Sequence, residues 1–278
     1  MTIDAPAVPP QPRGALGRLG WALADGWTIT LRDLTHWVRQ PGQIIVALLF
    51  PVMVVLIFGY VFGGGMVVPG GGDYREFLMP GMFAMTMVFG IESTFTAVAG
   101  DIGKGVTDRF RSLPMARSAV VTGRAAADML NSVLGLAAMI ACGLAVGWRW
   151  HNGPAAALAA VGLLLLLRFA LLWTGVYMGL VTKSPEAVMA VQILVWPLGF
   201  LSNTFASTAT MPGWLAAIAD WNPMSATVSA TRELFGNPGW GGDSFAAQHA
   251  MALALLWPAV LLVIFFPLSV RRYRDLSR

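Results

Sequence analysis

AAALAAVGLLLLLRFALLWTGVYMGLV, from Ala155 to Val181, decides the class of fold. It holds 27 residues and a single charge, Arg168. At about 1.5 Å per residue such a helix is longer than the roughly 30 Å of hydrocarbon in a bilayer. Five further apolar stretches of comparable length lie around it: Ile44–Phe62, Phe77–Ala99, Met129–Val146, Ala187–Phe205 and Met251–Val270. The third weakens where Asp128 and Asn131 stand, and the fifth is interrupted by Pro197 and Gly199, where a kink is expected. The sequence therefore predicts an all-α membrane protein with six transmembrane helices.

Composition agrees. Of the 278 residues, 56% are hydrophobic and 12% charged, about half the charge of a soluble domain. Mean hydropathy is +0.67. A soluble core of this size cannot bury so much apolar surface. The lone Cys142 sits in an apolar run and forms no disulfide framework within the chain. Residues 1–12 are Pro-rich and do not read as a secretory signal; 1–15 form a disordered tail.

The basic residues sort by loop. Fourteen Lys or Arg fall on one set of segments: before the first span, in the second and fourth loops, and in the 271–278 tail. Only Arg75, Arg149 and Arg232 fall on the other. This asymmetry places both termini in the cytoplasm. It also removes nucleic acid as a partner, since the pI near 9.7 reflects loops rather than a patch.

Three segments outside the spans carry patterns. Residues 16–42 read as a cytoplasmic amphipathic helix lying on the membrane, with Leu16, Leu19, Leu23, Trp27, Leu31, Leu34 and Val38 on one face. The first cytoplasmic loop reads as a second amphipathic helix. Asp101 caps it, Ile102, Val106, Phe110 and Leu113 form its stripe, Lys104, Asp108, Arg109 and Arg111 its polar face, and Pro114 its end. Such a helix suits docking in a groove of a soluble partner; it is equally an ordinary basic loop. The outer loop Ala206–Ala250 begins with Met211, Pro212, Gly213, Trp214 and Leu215, apolar but too short to span, which suits a re-entrant or interfacial helix. Asn222-Pro223 marks a turn, Met224–Phe235 a helix and Gly236–Gly242 a flexible stretch.

Two ionisable residues lie deep in spans. Glu92 and Arg168 fall roughly 22 and 20 Å below the outer ends of the second and fourth spans, which predicts a structural ion pair between them. Glycines four apart at Gly59/Gly63, Gly143/Gly147 and Gly175/Gly179 predict close helix packing. No catalytic constellation is visible. Gly-x-x-x-x-Gly-Lys-[Ser/Thr] and Gly-x-Ser-x-Gly are absent, so the chain has no ATP site of its own. His36, His151 and His249 stand apart, which predicts no metal site.

The run Gly105-Val-Thr-Asp-Arg-Phe-Arg-Ser-Leu-Pro-Met-Ala-Arg117, followed by Gly123-Arg124, resembles the signature of ABC-2 type transporter permeases, in their daunorubicin-resistance branch. Met211-Pro-Gly-Trp-Leu, Asn222-Pro223 and Arg232 match the same branch, and the order of elements agrees over essentially the whole chain after Gly14. The resemblance implies a six-span domain over 43–270 that pairs with a second permease copy and with two ATP-binding subunits, which hold ATP and Mg. It implies that Asp101–Leu113 is the coupling helix on the ATPase and that Met211–Phe235 forms re-entrant helices closing the pathway. The expected activity is export of a hydrophobic, drug-like molecule or lipid across the plasma membrane; polysaccharide or glycolipid export shares the architecture. A passive channel or secondary transporter would need more intramembrane polar residues than Glu92 and Arg168, a membrane enzyme a constellation, and a mechanical scaffold a larger outer domain.

Overall fold

A computed structural model describes residues 41–66, 68, 70–103, 117–182, 185–239 and 242–276. The expected tail 1–15, most of the expected interfacial helix 16–42, and Val106, Asp108, Arg109, Phe110, Leu113 and Pro114 lie outside them. The described residues form helices and no strand. We number the α-helices α1 (Pro41–Leu56), α2 (Tyr74–Gly103), α3 (Arg117–Ala145), α4 (Gly153–Val181), α5 (Pro185–Phe200), α6 (Gly213–Asp220), α7 (Pro223–Phe235), α8 (Phe245–Gln248) and α9 (Ala250–Leu276). Four of them, α2, α3, α4 and α9, are long and apolar enough to cross a membrane.

The two other expected spans differ in form. α1 continues without a break into a π-helix, Ile57–Phe62, and a 3-10 turn, Gly63–Gly65. Each change of hydrogen-bond register re-aims the side chains that follow. α5 stops at Phe200, three residues after Pro197, so the stretch to Phe205 that was expected to be helical is not.

α2 is the centre of the bundle. Phe77, Leu78, Met79, Met82, Phe83, Ala84, Met85, Met87 and Val88 are all buried, so its first half meets protein on every side. α9, by contrast, leaves Leu255, Leu256, Val263, Ile264 and Phe266 exposed, a surface suited to lipid. The α2–α4 contact is close because Gly175 and Gly179 carry no side chain. A Cβ on Gly179 would lie 2.7 Å from Val98 Cβ, and one on Gly175 3.0 Å from the Ile91 carbonyl. Gly59 and Gly63 likewise both face the start of α2, where a Cβ on each would lie 3.5 Å from Arg75 and Tyr74 respectively, whereas Gly143 and Gly147 act separately. Gly143 packs on Met79 and Phe83, while Gly147 turns the chain at φ +100°.

Helix ends follow their capping residues. Asn222 accepts the Met224 N–H at 2.9 Å, and Pro223 opens α7. Gly236, at φ +73°, closes it with bonds from its own N–H and that of Asn237 back to Glu233 and Arg232. Tyr74, Val146 and Phe205 meet at one end of the bundle through Tyr74 Oη–Phe205 O (2.8 Å) and Arg75 Nη1–Val146 O (3.2 Å). This is the Trp148 end; Gly103 and Thr182 mark the other.

Candidate functional site

Three arrangements stand out, and the first surrounds Arg232. Past Phe200 the chain has left the helix, so the carbonyls there have no N–H donors from their own segment. Donors come from α2 and α7 instead. Asn222 Nδ2 reaches the Leu198 and Leu201 carbonyls, both at 2.7 Å. Arg232 Nη2 reaches those of Asn203 and Thr204 at 3.0 and 3.2 Å, and the Tyr74 hydroxyl takes Phe205. Arg232 Nε also donates to the Phe77 carbonyl at 2.9 Å, Nη1 to Gly239 at 3.4 Å, and the guanidinium sits 3.7 Å from the Phe77 ring centre. Arg232 is 0% exposed. Burial pulls its pKa down to about 9, while carbonyl dipoles and the ring face hold the cation in place of a carboxylate.

This knot fixes the whole Trp148 end. Thr204 enters α2 where Gly81 leaves room; a Cβ there would lie 2.5 Å from its methyl. Asn237 receives the Trp148 indole N–H at 2.8 Å and donates to the Arg149 carbonyl. Gly239 lies on the Phe77 ring at φ +83°, so residues 236–239 are pinned rather than the flexible stretch expected from their glycines. Trp148 packs edge-on against Phe83 and Phe235, with ring centres at 4.9 and 5.0 Å. Of the expected outer residues, Met211 and Pro212 form the extended entry to α6, and Trp214 projects from it, 70% exposed.

The second arrangement is the intramembrane charge. Arg168, 0% exposed, meets Asp128 of α3 at 2.7 Å. It also donates to Ser132 (Nε, 2.7 Å) and to Thr94 of α2 (Nη2, 2.7 Å), and Thr94 in turn donates to Asp128. The expected carboxylate partner was Glu92; the observed one is Asp128. The reason is rotation. Gly90 and Thr94 lie one turn apart on the face of α2 that meets Arg168, and a Cβ on Gly90 would lie 2.6 Å from Arg168 Nε. Glu92 falls between them in sequence, about 200° round from Gly90, and is half-buried elsewhere. The signal for Asp128 was present, since Asp128 and Ser132 stand four apart on one helix face. Asp101 lies in the last turn of α2.

Third, seven rings form an unbroken series across α1 and the π-helix that follows it, α2, α5 and the segment after α5. Phe50, Phe89 and Trp196 meet at 5.1–6.2 Å. Trp196 leads to Phe200 (5.9 Å), Phe205 (5.3 Å), Phe58 (4.7 Å) and Phe62 (5.5 Å). Phe50, Phe62, Trp196 and Phe200 are exposed and the others half-buried, so the series forms a partly exposed aromatic strip. Its α2 member, Phe89, lies about 100° round the helix from Gly90, which meets Arg168.

Residues 25–235 match the family described as ABC-2 type transporter. The chain is 36% identical over 256 residues to a daunorubicin resistance ABC transporter permease protein, DrrB1, of Streptomyces coeruleorubidus, an alignment covering 89% of this chain and 88% of that one. It is 22% identical to a probable doxorubicin resistance ABC transporter permease protein, DrrC, of Mycobacterium tuberculosis, over 87% of this chain and 85% of the other. A putative transport permease, ycf38, of Pyropia yezoensis is also 22% identical, over 85% and 82%. Apolar helices, a buried intramembrane charge and likeness to permeases along nearly the full length converge: the chain belongs to the ABC-2 type transporter family.

Proposed function

We propose that this chain is the membrane subunit of an ATP-driven exporter that moves a hydrophobic, drug-like molecule or lipid out of the cytoplasm or inner leaflet. The observation that carries the reading is the partly exposed aromatic series that joins α1, α2 and α5. Flat apolar molecules stack on such rings, each contact contributing about 0.5–1.5 kcal/mol, and half-exposed rings keep that surface available. The names of the drug-resistance relatives support the same substrate class.

In this reading α1 and α5 complete six spans, both termini are cytoplasmic, and the Trp148 end faces outward. The charge asymmetry of the loops supports that orientation. Residues 104–116, between the Gly103 end of α2 and the start of α3, dock on a separate ATP-binding subunit that carries ATP and Mg. A second copy faces this aromatic series and completes a groove between the two, and α6 and α7 form the re-entrant cap.

ATP-dependent movement of the docked loop rocks the spans and alternates access to the groove. The test is co-purification with a P-loop ATPase, with transport measured in proteoliposomes. Phe110→Asp should abolish both association and transport; unchanged transport in that variant refutes the coupling assignment.

A further inference from the structure

Arg168 stands at a junction that the sequence does not reveal. Its guanidinium holds Thr94 of α2 and Asp128 and Ser132 of α3 at once. α2 and α3 are the two helices that flank residues 104–116. Thr94 lies nine residues before Gly103 and Asp128 eleven after Arg117, roughly 14 and 17 Å along their helices from the ends of that loop. On its other faces α4 packs against the rest of the bundle. Ser269 of α9 donates to the Trp173 carbonyl at 3.1 Å, and Leu163 packs with Ala230 of α7 and Ala254 of α9. Ala230 is two residues from Arg232. A displacement of the loop therefore has a polar joint, centred on the fully buried Arg168, through which it enters α4, and a packed route onward to the Arg232 knot.

We infer that Arg168 is a positioning residue for transport, the joint that makes α2, α3 and α4 move as one body when the loop is driven. The joint stays closed through the cycle, because parting it would leave the fully buried Arg168 charge without its carboxylate. Nη1 of Arg168 makes no hydrogen bond among the described residues, so the three existing bonds carry the connection. This inference rests on residues 104–116 being the docking loop.

The test compares ATP hydrolysis and transport in proteoliposomes of the complete complex. Arg168→Gln should still hydrolyse ATP within about twofold of the parent, while transport per ATP falls by about tenfold. Restoring opposite charges with Asp128→Arg together with Arg168→Asp should recover much of the ratio. A joint that served folding alone would lower the amount of complex and leave the ratio intact. Thr94→Val, which removes a single hydroxyl at constant size, provides the measurement if Arg168→Gln fails to accumulate, and should lower the ratio less steeply. An unchanged ratio in Arg168→Gln, or in Thr94→Val where Arg168→Gln does not accumulate, overturns the inference. Phe110→Asp run alongside separates the two claims: normal assembly and transport there removes the docking loop, whatever the Arg168 ratio shows.

Discussion

Arg232→Met is the sharpest test of how the Trp148 end is built. The substitution keeps the apolar stem over Phe77 and deletes every donor. Asn203 and Thr204 lose the partner that caps their carbonyls. Each buried carbonyl left unpaired costs about 1–3 kcal/mol. The cation above Phe77 contributes about 2 kcal/mol more in dry surroundings. Against this, the folded state no longer carries a desolvated charge, which returns several kcal/mol. Two unpaired carbonyls and the lost cation–ring contact, less the returned desolvation, leave a net loss of about 2–4 kcal/mol. In a chain of this length 1 kcal/mol moves the melting temperature by about 2–4 °C, so a drop of roughly 10 °C is expected. The assay is thermal unfolding of the purified protein in mild detergent, followed by tryptophan fluorescence. Arg232→Lys should recover less than half, because an ammonium cannot span carbonyls on α2, the post-α5 segment and Gly239 together. A melting temperature within about 2 °C of the parent for Arg232→Met would refute the reasoning; water would then be capping those carbonyls.

Gly90→Ala should displace the Arg168 guanidinium, since its Cβ would lie 2.6 Å from Nε, and lower stability by about 1–3 kcal/mol; thermal unfolding reads it, with Gly100→Ala, which meets open space, as the control. Trp196→Ala opens the aromatic series at its branch point and should raise the substrate concentration needed for half-maximal ATPase stimulation several-fold, by about the 0.5–1.5 kcal/mol of one ring contact. The Arg75 guanidinium holds the Asp73 carboxyl below its usual range. Its contribution is therefore complete above the unfolded pKa of about 3.9 and lost as pH falls through the lowered value. Asp73→Asn should flatten the acid limb of stability against pH, by a small amount because the pair is largely solvated.

The long apolar runs were legible because crossing a bilayer is a local requirement, written in about twenty consecutive residues. Ala155–Val181 reappears as α4 almost unchanged, and Met224–Phe235 as α7, with Asn222 and Gly236 as its caps. Boundaries were less legible where partners from elsewhere replace helix hydrogen bonds. α5 ends at Phe200 rather than Phe205 because Asn222, Arg232 and Tyr74, distant in sequence, supply the donors.

The sequence by itself determined that the chain is helical and apolar, where its runs lie, and, through Gly105–Arg117 and Met211–Leu215, which family it resembles. Only the tertiary structure decided the partners. Arg168 was visible as a buried charge, but whether Glu92 or Asp128 faces it depends on how α2 and α3 are rotated about their axes. A rotation of 100° separates neighbouring residues on a helix, and it is set by the sum of packing contacts such as the Gly90 and Gly175 seats. Arg232 was likewise visible as a residue, yet its cage is made of backbone carbonyls. Every residue has a carbonyl, so no side-chain pattern could announce which ones converge there.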